Sequence, residues 1–226
     1  MSQAQTTAAK PGDLSPNFHV AHHYDSANTQ FDAGRMGVWL FLVTEVLFFG
    51  GLFCAFAIFR TWYFSAFVEA HHHLDKVMGA INTVVLICSS LTMALGVRAA
   101  QQSQHKKTVL LLAATLAFAA TFLVIKYFEY SHKFHDGLLP GAYFHPLHPF
   151  KTGQKGGIFF AVYFMMTGVH GLHVIIGMGL ILWILIRASK GEFSSRYYAP
   201  VEGVGLYWHL VDLIWIYLFP LLYLVG

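Results

Sequence analysis

The chain has 226 residues, of which 56% are hydrophobic, 16% aromatic and only 11% charged. Soluble domains carry about 25% charged residues, so this composition excludes an ordinary soluble domain and implies one integral membrane domain. The net charge of +3 comes from basic residues scattered through loops, which excludes a nucleic-acid partner. Cys54 and Cys88 both lie in apolar runs and read as small buried side chains, not as a disulfide or metal site.

Residues 1–34 are polar, with Pro11 and Pro16, and are expected as a loosely draped tail without the apolar core of a cleavable signal. His19, His22 and His23 in it are either metal ligands or part of a solvated tail that touches a partner. The domain proper, 35–226, is expected to be an all-α polytopic membrane helix bundle with five transmembrane helices.

The first span runs over about 36–59, bracketed by Arg35 and Arg60 as interfacial anchors. Glu45 falls roughly 15 Å along it at 1.5 Å per residue, near mid-bilayer. A carboxyl there is either a functional group or a hydrogen-bonded tie to a neighbouring helix, and both readings face it toward protein. His71, His72 and His73 follow in a short turn that reads as polar surface. The second span, about 77–100, carries Asn82, Thr83, Ser89, Ser90 and Gly96, a face for burial against other helices.

The third span, about 108–130, ends in KYFEY, where Lys126 and Glu129 are three apart and can pair near the interface. A snorkelling lysine beside an interfacial glutamate is the other reading. Residues 131–156 exceed an ordinary connection and are expected to cover a partner or part of this chain. The fourth span, about 157–187, has no acid and ends on Arg187. His170 and His173 in it share one face, and Gly168, Gly171 and Gly177 leave room for a neighbouring helix. The fifth, about 203–225, holds His209 and Asp212, again three apart. An odd number of spans puts the termini on opposite sides, and the excess of Lys and Arg in the loops on the N-terminal side favours a cytoplasmic N terminus.

Haem ligation between helices needs histidines on different helices at matched depth, whereas His170 and His173 share one helix. No C-x-x-C-H, copper–cysteine, Fe–S or nucleotide-binding glycine pattern is present, so the chain is expected to hold no cofactor or metal of its own. A proton relay through Glu45, Lys126, Glu129, His170, His173, His209 and Asp212 would suit a proton-coupled transporter. Against that stands the lack of an inverted repeat or paired broken helices.

Four blocks, WLFLVTEVLFFGGLF (39–53), INTVVL (81–86), YFMMTGVHGLHVIIG (163–177) and YWHLVDLIWIYLF (207–219), with KYFEY at 126–130, together resemble subunit III of the haem-copper cytochrome c oxidases. The resemblance covers nearly the whole membrane portion in the family's order. It implies a non-redox accessory subunit packed beside catalytic subunit I, with subunit II in the same complex and haem and copper held by the partners. That subunit would stabilise subunit I, bind phospholipid and sustain proton uptake during aerobic respiratory electron transport and oxygen reduction. Glu45 falls on the family's buried glutamate, and Arg187 on a basic residue that meets a lipid phosphate. Asn82, Lys126, Glu129, His170, His173, His209 and Asp212 are left as helix-tying residues.

The family's long form has seven helices, and this chain resembles it from the third onward, so a further small membrane subunit would replace the first two. Glu192 also departs from the pattern, standing where a basic or neutral group would suit a phosphate. Quinol oxidases have a similar five-helix subunit III, and nitric oxide reductases have related proteins; the TEVLFF block favours the cytochrome c branch. The implied location is the bacterial cytoplasmic membrane.

Overall fold

The computed structural model describes residues 27–147, 150–195 and 197–224. His19, His22, His23, His148 and Arg196 lie outside the described residues. The described residues form six α-helices: α1 (Ala27–Trp62), the short α2 (Phe64–Ala70), α3 (Lys76–Gln101), α4 (His105–His135), α5 (Gly156–Ser189) and α6 (Ala199–Phe219). A π turn, Pro220–Leu224, continues α6. Among the described residues, five helical stretches are long and apolar enough to cross a membrane: Thr29–Trp62, Lys76–Gln101, His105–His135, Gly156–Ser189 and Ala199–Leu224. The protein is thus an all-helical integral membrane protein.

Helix ends follow from local chemistry. Asp75 caps α3 by accepting from the Val77 and Met78 N–H groups at 2.9 and 3.1 Å. Gly191, at φ +74°, stops α5 in the left-handed conformation that L side chains rarely adopt. Pro200 stands at the first turn of α6, where a missing N–H costs nothing. The α1 helix begins at Ala27, so residues 27–34, expected as tail, form its first turns. With 36 residues, α1 is roughly 54 Å long at 1.5 Å per residue and outreaches a hydrocarbon core of about 30 Å.

The helices α3, α4, α5 and α6 form the core, each packed on two of the others, and α1 rests mainly on α5 and α6. In the most apolar window of α1 only 17% of residues are buried, against 50% in α6. A Cβ on Gly177 would lie 2.7 Å from the Trp208 ring, so α5 and α6 approach here only because Gly177 has no side chain. The neighbouring glycines behave otherwise. Gly171 has nothing within 4 Å of a built Cβ, and Gly168 meets only the Tyr130 hydroxyl at 4.0 Å. Of the three glycines expected to admit a helix, Gly177 does so.

The long loop after α4 is an ordered cover. A side chain on Gly137 (φ +70°) would collide with the His145 carbonyl, and Leu138 pairs with Phe144 in an isolated antiparallel bridge. Phe144 and Phe150 are buried with Phe160 of α5, with ring centroids 5.7–6.2 Å apart. The Glu69 carboxylate of α2 then clamps the loop, accepting from the backbone N–H groups of Lys151 (2.6 Å) and Thr152 (3.0 Å) and from the Thr152 hydroxyl (2.8 Å). The loop therefore covers part of its own chain.

Two local expectations change. His71 is buried, its Nδ1 donating to the Val68 carbonyl at 2.8 Å, while His72 and His73 are exposed. Cys54 is exposed because α1 turns that face outward, and Cys88 is half-buried.

Candidate functional site: a cleft and two intramembrane ion pairs

The helix α4 places Lys126, Glu129 and Lys133 on one face at steps of three and four residues. The Lys126 ammonium donates to Glu129 Oε2 (2.8 Å), the Tyr163 hydroxyl of α5 (3.2 Å) and the Tyr223 hydroxyl of the π turn (3.1 Å). Its three N–H groups are thereby all used. Glu129 Oε1 accepts from Tyr163 (2.9 Å) and Tyr223 (2.5 Å), and the Lys133 ammonium stands 3.5 Å away. The Trp215 ring lies 4.9 Å from the Lys126 nitrogen and closes the knot. Lys126 and Glu129 pair as expected, inside the bundle, not as snorkelling surface groups. Lys133, Tyr163 and Tyr223 were missed. The charged ladder 126–129–133 is visible in the sequence; the tyrosines come from other helices.

The second pair joins α1 to α5. His173 Nε2 lies 3.0 Å from Glu45 Oε2, and the Nδ1 of the same ring is 2.8 Å from the Val169 carbonyl. A carbonyl only accepts, so Nδ1 carries a hydrogen and, in a neutral ring, Nε2 is bare. A hydrogen bond to Glu45 then requires one further proton, held on Nε2 or on the carboxyl. Glu45 and His173 thus share a single proton, with side chains 16% and 15% exposed. The Phe48 and Phe49 rings flank the imidazole at 6.2 and 5.1 Å.

Although His170 and His173 are three apart, they part company: an offset of about 60° sends His170 inward, where it sits between Phe122 (5.7 Å) and Trp215 (5.2 Å). His209 Nδ1 lies 2.7 Å from the Ser90 hydroxyl of α3. Among the described residues, neither nitrogen of His170, no carboxyl oxygen of Asp212 and no amide atom of Asn82 has a hydrogen-bond partner, though all three residues are buried. Other α3–α6 ties run from Trp208 Nε1 to Ser89 (2.9 Å) and from Trp215 Nε1 to Thr83 (3.1 Å).

A cleft of about 480 Å³ opens between the first turns of α1, the last turns of α5 and the start of α6. Arg35, Val38, Phe41, Leu180, Trp183 and Tyr207 are among its walls, which are mostly apolar. The Tyr207 hydroxyl donates to the His173 carbonyl at 3.0 Å, so the cleft ends beside the Glu45–His173 pair. Arg187 packs against the Trp183 wall, its Cζ 5.0 Å from that ring, with Phe193 and Tyr197 on its other sides. Its Nε donates to Glu192 at 2.6 Å and one Nη to the Tyr197 hydroxyl at 3.4 Å. Arg35 is the cationic wall that sequence reasoning treated only as an anchor. Among the described residues, no group of three or more His, Cys, Asp or Glu side chains is placed to hold a metal ion.

Fold and site together define a polytopic helical membrane protein whose ionisable groups are arranged in helix seams and at one apolar cleft. Residues 17–226 match the family model described as cytochrome c oxidase subunit III, and the chain belongs to that family. It is 33% identical over 195 residues to cytochrome c oxidase subunit 3 of Synechocystis sp., covering 86% of this chain and 76% of that one. The subunit 3 of Thermostichus vulcanus is 32% identical over 202 residues, 89% of this chain and 92% of its own length. A heme-copper oxidase subunit I+III of Aeropyrum pernix is 30% identical over 200 residues, 86% of this chain and 23% of that longer one.

Proposed function

We propose that this chain is the non-redox subunit III of a haem-copper cytochrome c oxidase, seated beside subunit I in a complex that also contains subunit II. It stabilises subunit I, binds phospholipid and supports proton uptake during oxygen reduction, in a bacterial cytoplasmic membrane with its N terminus on the cytoplasmic side. The A. pernix relative whose name joins subunits I and III in one polypeptide supports a direct neighbour relation. Haem and copper belong to the partners in this reading.

The observation that carries the lipid role is the apolar cleft between α1, α5 and α6, with Arg35 in its wall and Arg187 behind Trp183. Acyl chains would lie against Phe41, Leu180 and Tyr207, and the phosphate at the cationic rim. Glu192 and Tyr197 occupy only part of the guanidinium's five N–H donors, so Arg187 retains donors for a phosphate oxygen. The Glu45–His173 pair beneath the cleft is the group whose shared proton we assign to the proton-uptake role.

Purification through a tag on this chain in mild detergent tests the reading. Expected is co-purification of a haem-bearing partner, seen in a reduced-minus-oxidised spectrum, with phospholipid retained in native mass spectra. Arg187→Ala is expected to lose bound phospholipid. Identical lipid retention removes the lipid assignment, and absence of any haem partner removes the subunit reading.

A further inference from the structure

Ser90 and His209 meet near the middle of α3 and α6, in the spans Lys76–Gln101 and Ala199–Leu224. The imidazole is only half-buried, and its single hydrogen bond among the described residues uses Nδ1, which leaves Nε2 without a partner among them. An imidazole nitrogen left unbonded within a membrane span is costly. Outward-facing hydroxyls elsewhere at depth avoid this cost on their own helices. Thr44 donates to the Phe41 carbonyl at 2.6 Å and Thr121 to the Ala117 carbonyl at 2.9 Å. The second nitrogen of a ring already bonded to Ser90 has no such recourse. One turn away on either helix the surface is apolar and open: Ile87 is 51% exposed and Leu213 is 49% exposed.

We infer that the α3–α6 seam is covered by a transmembrane helix of another polypeptide, which presents a hydroxyl or carboxamide to His209 Nε2 at mid-depth. A hydroxyl or carboxamide suits either tautomer of the ring, since each both donates and accepts. Ile87 and Leu213 supply the apolar margins that pack against that helix, so the seam combines a hydrophobic border with one directional contact. This inference rests on the reading that the chain works within an oxidase complex, and it locates a contact face that the reading leaves open.

The test uses the whole complex in native membranes, with a photo-reactive benzoylphenylalanine in place of Leu213 and, separately, of Leu110 on the outward face of α4, which is 70% exposed. Expected is a protein adduct at 213, to a helix bearing a hydroxyl or carboxamide within one turn of the attachment point, and lipid adducts at 110. His209→Leu should lower the amount of co-purified partner several-fold, whereas His209→Asn should retain it. Lipid adducts at 213, or a cross-linked pair of this chain with itself, overturn the inference. Full partner retention by His209→Leu does so as well. If haem co-purifies while 213 gives only lipid adducts, the oxidase reading stands and this face is wrong; if no haem partner co-purifies at all, the oxidase reading falls first.

Discussion

The Lys126–Glu129 knot and the Glu45–His173 pair both place a carboxyl group within a membrane span, yet their surroundings differ. Glu129 is held by three elements at once, α4, α5 and the π turn, with both oxygens bonded. Among the described residues Glu45 has one partner, on one helix, and its side chain is 16% exposed. Full satisfaction makes the first group a fixed structural centre, because removing any member strands the others. Partial satisfaction leaves the second with room for a further hydrogen-bond partner. A buried carboxyl alone therefore says little about role; the count and origin of its partners say more.

The strongest way to break the contrast is Glu129→Ala. It leaves Lys126 and Lys133 buried without their counter-charge and should cost about 3–5 kcal/mol, read as a large drop in the thermal midpoint of the purified complex. Next is Gly177→Ala, which pushes a methyl group into the Trp208 ring at 2.7 Å. Overpacking at this seam should cost about 1–3 kcal/mol by the same melt. Glu45→Gln is expected to do much less to stability, under about 1 kcal/mol, because a carboxamide N–H still donates to the bare His173 Nε2. It abolishes the shared proton, and the oxidase should lose activity sooner during turnover. Unchanged lifetime, activity and assembly would reduce Glu45 to a packing residue.

The smallest effect concerns the loop cover, outside the membrane spans. The Lys151 backbone N–H beside Glu69 holds its carboxyl below the usual carboxylate range, and burial pushes the His71 ring down. Depressed folded-state values mean stability that is present above the unfolded pKa and lost as pH falls through the folded one. Loosening should thus begin below about pH 6.5 through His71 and continue below about 4.3 through Glu69. Amide exchange in residues 136–147 and 150–155 should rise as pH is lowered, after correction for intrinsic rates. A flat profile would show that the aromatic packing of Phe144 and Phe150 alone holds the loop.

Five spans were legible because an apolar run of span length has few alternatives in lipid, and their ends shifted by only a few residues except at α1. There the polar residues 27–34 obscure helix that stands beyond the hydrocarbon. Lys126 with Glu129 was legible because both partners lie on one helix at a fixed spacing. The union of Glu45 with His173 was not, since it depends on which helices become neighbours. The same limit hid Ser90 beside His209, and Tyr163 with Tyr223 around Glu129. Spacing also misled: His170 and His173 look like one site in sequence, but a fraction of a turn separates a packed core ring from an ion-pair partner. The cleft was invisible as such, because its walls come from three separated segments.

The placement of α1 also bears on how the chain is made. Among the described helices it is the first to be synthesised, while the helices it packs on, α5 and α6, come last. During biogenesis Glu45 is therefore inserted into lipid before His173 exists to receive it, and α1 must wait through the synthesis of α3 and α4. The core helices α3 and α4, by contrast, are joined by the three-residue turn 102–104 and can dock as soon as both are inserted. Assembly in the membrane thus proceeds out of sequence order, with the earliest segment docking at the end.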